Sequence, residues 1–312
     1  MANEITYSSF ANEEVAAVLS AEYLLLLADR NALPNHPALV YIGDVTGRGS
    51  QVIKQPFLGL MGYDVATSET EGTGPSNSAL ADAAASVTVA GYSKVYSATD
   101  LARVVDATGT ISNPGVMAAD ALVTSSTTML KSAAALMSGF STVVGSTGVT
   151  ATFAKYLDCI TTLEIAKVPG PYLGLLHPKQ WGDIRKDVAS SSGGAIVFNS
   201  GAQQVIDGMK GLGMQGEFCG ATVFTTAHVP TANAGADRAG GMFGRGAILW
   251  GDANTDRLVT DPGQEVSLAG RVLVGRYRGG TGVAGQIQYL TRFFFGMVEG
   301  LDAAGVELLS KA

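Results

Sequence analysis

Glycine-rich turns are the first places in this chain where residue type and spacing could do chemistry, because a Gly-x-Gly-x-x-Gly run can cradle a dinucleotide pyrophosphate. Two stretches match: Gly211, Gly213 and Gly216, and Gly280, Gly282 and Gly285. The fingerprint works only between a strand and the N-terminus of a helix, where free backbone amides meet the phosphates. The first match follows an expected helix and the second sits in an expected hairpin turn, so neither has that context. With 40 glycines in 312 residues, chance matches are ordinary. No Gly-Lys-Ser/Thr phosphate loop, Gly-x-Ser-x-Gly elbow or His-Glu-x-x-His helix occurs. The three histidines, His36, His177 and His228, lie far apart, and two precede proline, which favours extended backbone over a helical metal face. Cys159 and Cys219 form no Cys-x-x-Cys pair, so buried, reduced thiols are expected, with neither a disulfide framework nor a zinc site. No cofactor, metal or catalytic set is expected.

Charge supplies the remaining candidates. Arg271, Arg276 and Arg278 are the one local basic cluster, able to touch a polyanion or a neighbour's carboxylates, though strand spacing also fits a solvated face. Lys54 could pair with an acid on another subunit or simply be a surface lysine. A formal charge of -7 argues against specific nucleic-acid binding by phosphate neutralisation. The N-terminus lacks the basic start and apolar stretch of a secretory signal, and the longest apolar run, Tyr23 to Ala28, is far short of a membrane span. A soluble, unexported chain without membrane contact is expected. Hydrophobic residues make up 46% and charged residues 15%, well under the ~25% charge usual for soluble domains. So little charge is expected of a subunit that hides surface against copies of itself.

The elements that must position these residues fall into four regions. Residues 1–38 read as an acidic arm whose Val15, Leu19, Tyr23 and Leu26 recur at helical spacing and dock on a partner. Residues 39–98 read as an extended two-stranded excursion: Gln51–Phe57 outward, with Pro56 marking an edge strand, and a return run from Ser86. Between them, the tip around Gly72–Ser78 has too few apolar side chains to fold alone. A Ser97-x-x-Asp100 capping box is expected to open a short helix. Asn113, Pro114 and Gly139 then bound a long one, in which Leu122, Met129 and Leu136 repeat beside Val123, Leu130 and Met137. Its small residues Ala119, Ser126 and Ala133 keep the stripe narrow, as for a helix lying along a sheet. Residues 146–261 alternate short helices and strands: an amphipathic helix on Phe153, Leu157, Ile160 and Leu163, a strand Tyr172–Leu176, a helix from Pro178 and a helix 202–210. Strands at Ala221–Thr226 and Ala247–Trp250 flank a mobile-looking loop, Thr231–Gly241. From 265 onward the chain is mostly strand, with Arg271–Arg278 and Gln286–Val298 forming a hairpin around Gly279–Gly282.

Taken in order, this resembles the major capsid protein of tailed bacteriophages, the Hong Kong 97-type fold shared with encapsulin shells. The resemblance rests on Gln51–Phe57 leading into the tip, Val87–Thr99 running into the helix Pro114–Ser138, and Tyr172–Trp181 opening a compact region. It implies an α+β fold: an N-terminal arm (1–38), an extended β-hairpin loop (39–98), a peripheral domain with a long spine helix and β-hairpin (99–145 and 262–312), and a compact mixed axial domain (146–261). It implies a structural protein and not an enzyme, assembling with copies of itself as hexamers and pentamers into an icosahedral shell around double-stranded DNA held without sequence specificity. Portal, decoration and scaffold proteins are the further partners implied, the scaffold as a separate chain because this one begins at the arm. The location implied is the virion capsid, assembled in the host cytoplasm. Arg48, Lys54, Arg271, Arg276 and Arg278 are the candidate assembly contacts. Two alternatives stay open: an encapsulin-like compartment, and a soluble α/β nucleotide-binding enzyme using one of the glycine loops.

Overall fold

The computed structural model describes residues 4–5, 36–58, 82–106, 114–191, 214–260, 265–268, 270–278 and 286–312. In chain order, strands β1 (Glu4–Ile5), β2 (Leu39–Asp44), β3 (Val52–Leu58), β4 (Asp82–Thr88) and β5 (Ala90–Thr99) lead into helices α1 (Asp100–Val105) and α2 (Pro114–Leu136). After β6 (Val143–Gly145) come α3 (Phe153–Ile165), β7 (Tyr172–Leu176), α4 (Pro178–Ser191), β8 (Met214–Phe218), β9 (Ala221–Thr225), β10 (Thr231–Ala232) and β11 (Asp237–Phe243). The chain continues with β12 (Ile248–Asp252), β13 (Glu265–Leu268), β14 (Val272–Arg278), β15 (Gln286–Glu299) and β16 (Gly305–Lys311).

These strands make two sheets and a ribbon. The first sheet runs β1-β5-β15-β12-β2, with β14 also on β15 and β13 beyond it. Its organiser is β15, 14 residues or about 46 Å of extended chain, which pairs with β5 along one edge and with β14 and then β12 along the other. The second sheet runs β6-β16-β11-β7-β9-β8, with β10 on β11. β3 and β4 pair only with each other, in register from Val52↔Thr88 to Leu58↔Asp82.

Helix α2, 23 residues or about 34 Å long, lies along β14 and β15 as the sequence pattern requires. Its buried face matches the expected stripe at Ser126 and Ala133 but not at the large repeat residues. Ala121, Ser125, Ser126, Ala133 and Ala134 are buried, whereas Leu122, Val123, Met129 and Leu130 flank them half-exposed. Small residues let the helix backbone approach the sheet, and the larger side chains close over the sides of that contact. Gly139 does not adopt the left-handed conformation expected of a helix cap: it ends a 3-10 turn, Met137–Gly139, where a Cβ would come 2.8 Å from Glu299 Oε2.

Other expectations need correction. The return run is two strands, β4 in the ribbon and β5 in the first sheet, and β2 also belongs to that sheet, so the free excursion spans β3 to β4 and not 39–98. Thr99, not Ser97, caps α1, its side chain accepting from the Ala102 amide, because β5 runs on to Thr99 and the helix begins only at Asp100. The buried face of α3 is Tyr156, Cys159, Ile160 and Leu163, with Leu157 turned outward. The expected loop Thr231–Gly241 is instead β10, a 3-10 turn at Asn233–Gly235 and the first five residues of β11, which sits between β16 and β7 in the centre of the second sheet. Its Gly240 and Gly241 are there for space: a Cβ would stand 2.4 Å from Gln180 Oε1 and 2.7 Å from the Val306 carbonyl oxygen, respectively. Sheet membership also crosses the sequence boundaries. β6 and β16 lie in the second sheet and β12 in the first, because one core joins them: Met137 and Phe140 below α2 are continuous with Leu173, Trp181, Phe243, Trp250 and Val306. The arm stripe at 15–26, the tip at 72–78 and the expected helix 202–210 lie outside the described residues.

Candidate functional site

The polar side chains concentrate where β2, β12 and β14 come together at one end of the first sheet. The Tyr41 hydroxyl donates to Asp252 Oδ1 at 2.6 Å, and Arg271 Nε approaches Asp252 Oδ2 at 3.4 Å. Tyr41 stacks at a tilt on Trp250, ring centroids 4.7 Å apart, and the Arg271 guanidinium lies 5.1 Å from the Trp250 ring. Burial pushes the Asp252 carboxyl above its ordinary range, against the opposing pull of Tyr41 and Arg271. Directly beside Asp252 in the parallel register, Asp44 accepts from the Thr46 amide at 2.6 Å and from its hydroxyl, and the Thr46 hydroxyl in turn accepts from the Asn254 amide. Burial raises Asp44, but these bonds and Arg48 outweigh it, holding the carboxyl below the usual range. The cluster ties three strand ends together. It offers no exposed nucleophile beside a base, and its acids are already satisfied.

This arrangement separates the candidate arginines. Arg271 is folded onto its own chain's Trp250 and Asp252, while Arg276 is exposed on β14 opposite Tyr289, and Arg278 stands opposite Ile287. Five residues of extended strand separate Arg271 from Arg276 by about 16 Å, so a sequence cluster does not become one patch. Arg48 is exposed in the turn after β2, and Lys54 is exposed on β3 opposite Ser86. The histidines serve local turns: His36 Nδ1 accepts from the Ala38 amide and His177 Nδ1 from the Lys179 amide. Cys159 is buried, its thiol pushed up to about 12 by burial and by Asp158, whereas Cys219 is exposed in the β8–β9 turn, against the expectation that both thiols are buried. Gly211 and Gly213 of the first glycine motif, and all three glycines of the second, lie outside the described residues.

Surfaces that sequence reading missed are apolar. Leu101, Val104 and Val105 of α1 are exposed, Val104 to 83%, and Val95 on the neighbouring strand is open too. On α3, Leu157 and Ile165 are likewise exposed. Side chains of this kind, held on ordered elements, are the usual material of protein–protein contacts. The signal was present in α1, whose Leu101, Val104 and Val105 follow helical spacing, but only the sheet's position shows which face stays bare. Opposite it, Lys94 bridges β5 to α2, 3.2 Å from Asp120 and 3.1 Å from the Thr124 hydroxyl, with Tyr96 donating to the same carboxylate at 3.0 Å. Among the described residues no group of three or more His, Cys, Asp or Glu could hold a metal ion, and no helix is long and apolar enough to cross a membrane.

No protein-family model and no curated protein sequence matches the chain. Solved structures do match in shape. The capsid of Ralstonia phage GP4 superposes with a TM-score of 0.61 over 88% of this chain and 87% of that one, at 11% identity. The Cyanophage Pam1 capsid asymmetric unit gives 0.56 over 100% and 99%, at 12% identity. The holo-SrpI encapsulin complex from Synechococcus elongatus gives 0.50 over 89% and 86%, at 10% identity. The fold of the chain is therefore the Hong Kong 97-type capsid fold that its sequence resembles.

Proposed function

We propose that this protein is the major capsid subunit of a tailed bacteriophage, a structural protein that assembles as hexamers and pentamers into an icosahedral shell around double-stranded DNA. The observation that carries this reading is the whole-length match to phage capsid subunits, with a ribbon standing off the first sheet as it must to reach a neighbour. In this reading the first sheet with α2 forms the peripheral domain, the second sheet forms the axial domain near the capsomer centre, and α1 and α3 present apolar contact surface. Arg48, Lys54 and Arg276 are the charged contacts best placed for neighbours, while Arg271 has a partner within its own chain. Assembly takes place in the host cytoplasm with scaffold and portal proteins, and the product is part of the virion. The encapsulin likeness favours one other reading, a shell that encloses protein instead of nucleic acid. Negative-stain microscopy of the protein co-produced with its phage's other head proteins, followed by nuclease treatment and extraction, tests both. Shells holding nuclease-resistant DNA are expected. Shells that retain a protein cargo would favour the compartment, and a stable 32.0 kDa monomer under those conditions would sink both readings.

A further inference from the structure

Where the β3–β4 ribbon leaves the first sheet, three glycines stand side by side across three strands. Gly43 of β2 pairs with Gly251 of β12, and Gly251 pairs with Gly296 of β15. The ribbon's own Ile53 and Val87 face each other in register and are 4% and 0% exposed. They rest on Gly251 and Gly296, whereas a Cβ at Gly43 would meet the Arg48 guanidinium at 3.3 Å. A Cβ at Gly251 would come 2.8 Å from Ile53 Cδ1, and one at Gly296 would come 3.0 Å from Val87 Cγ1 and 2.2 Å from the Thr88 carbonyl oxygen. Further out, Lys54, Pro56, Ala84 and Ser86 are all exposed, so the described contacts between ribbon and body concentrate at this base.

We propose that Gly251 and Gly296 form a seat that sets the direction in which the ribbon leaves the body, with Gly296 the controlling position. A two-stranded ribbon is marginally stable by itself and needs a fixed base. A bare stretch of sheet lets two β-branched or branched side chains lie directly on backbone, where packing defines one orientation. The two positions are unequal. At Gly251 an added methyl meets the free end of Ile53, which can turn aside, and stands 3.0 Å from the Gly43 carbonyl oxygen within the sheet; at Gly296 it runs much closer into the ribbon's own Thr88 carbonyl, which cannot move unless the ribbon lifts. Seven ribbon residues span about 23 Å, so a tilt of about 10° at the base carries the far end roughly 4 Å. The importance of that displacement rests on the shell reading, in which the ribbon must land on a neighbour; the seat itself does not.

Distances between spin labels at Ala84→Cys and Arg292→Cys test the seat, in full-length Cys219→Ser protein diluted with unlabelled chains so that only pairs within one subunit are read. Both label sites are exposed, and Arg292 lies on β15, which holds the seat. The parent should give one narrow distribution, Gly251→Ala a small shift, and Gly296→Ala a shift of several ångströms or a twofold broadening. Gly296→Ala with an unchanged distribution and an unchanged cooperative melt would overturn the proposal. Should Gly296→Ala not fold, Ile53→Ala/Val87→Ala leaves the sheet intact and removes what sits on it. Broadening there supports the seat, and a distribution as narrow as the parent's overturns it. Microscopy is read separately: a displaced ribbon in a protein that never forms shells keeps the seat and sinks the shell reading.

Discussion

Gln180 illustrates how much one side chain can hold. It is fully buried, its Nε2 donating to the carbonyl oxygens of Arg238 and Leu308 and to the Ser310 hydroxyl, while its Oε1 accepts from the His177 amide. One amide thereby joins α4 to β11 and β16. Gln180→Leu should cost about 2–4 kcal/mol in denaturant unfolding, because buried carbonyls and an amide lose their partners while volume is nearly kept. A loss under 1 kcal/mol would show that those groups find other partners. Glu299 gives the opposite case, a side chain that costs stability as it ionises. Burial, and then a hydrogen bond to the Asp302 carboxyl, raise it above its model-peptide value of 4.5. Since the folded state holds the proton more tightly, this contribution is complete below that value and is lost as pH rises through the folded one. Melts across the acid range should therefore show a decline with rising pH that Glu299→Gln lacks. If both proteins follow one curve, the Glu299 carboxyl is not raised by the fold.

At the scale of elements, α2 reverses the usual weighting of large over small. Ala133 is fully buried in the core, so Ala133→Leu should lose about 1–3 kcal/mol through overpacking and should lower the melting temperature without changing secondary structure. A neutral result would mean that the helix stands further off the sheet than described. The heptad repeat showed that a helix was present and where it ended to within a few residues, and it placed Ser126 and Ala133 on the stripe, yet it gave the contact to the large repeat residues and left out Ala121, Ser125 and Ala134. Local patterns were legible wherever the partner lay nearby: β7 and α4, and the β14–β15 hairpin with its alternating strands, stand where expected. They were illegible where glycine does packing work. Gly240 and Gly241 read as loop, although they are the reason β11 can lie flat against Gln180 and β16. The polar cluster at Asp252 was hidden for another reason, since Tyr41 is 211 residues away and nothing in either segment names the other. The exposed apolar face of α1 was hidden likewise, for a helix of six residues says little until its sheet is known.

For the whole molecule, the join between its halves is β16. It lies between β6 and β11 in the second sheet, and its Val306 and Leu308 enter the core shared with α2 and the first sheet. A stop codon after Ala304 should therefore remove more than an edge: the product should be insoluble or lack a cooperative melt, whereas a soluble, cooperatively melting product would show that β11 can serve as an edge strand. The same position has a consequence for the order of events during synthesis. Residues 305–311 pair with residues 143–145 and 237–243, so the second sheet cannot close while the ribosome is still making anything before them. Chains broken off earlier never acquire the closed sheet and so never present finished contact surfaces. On the proposed shell reading, in which many identical parts make one particle, a single defective copy spoils the whole; there a strand that completes the fold late acts as proofreading, admitting only chains translated past it.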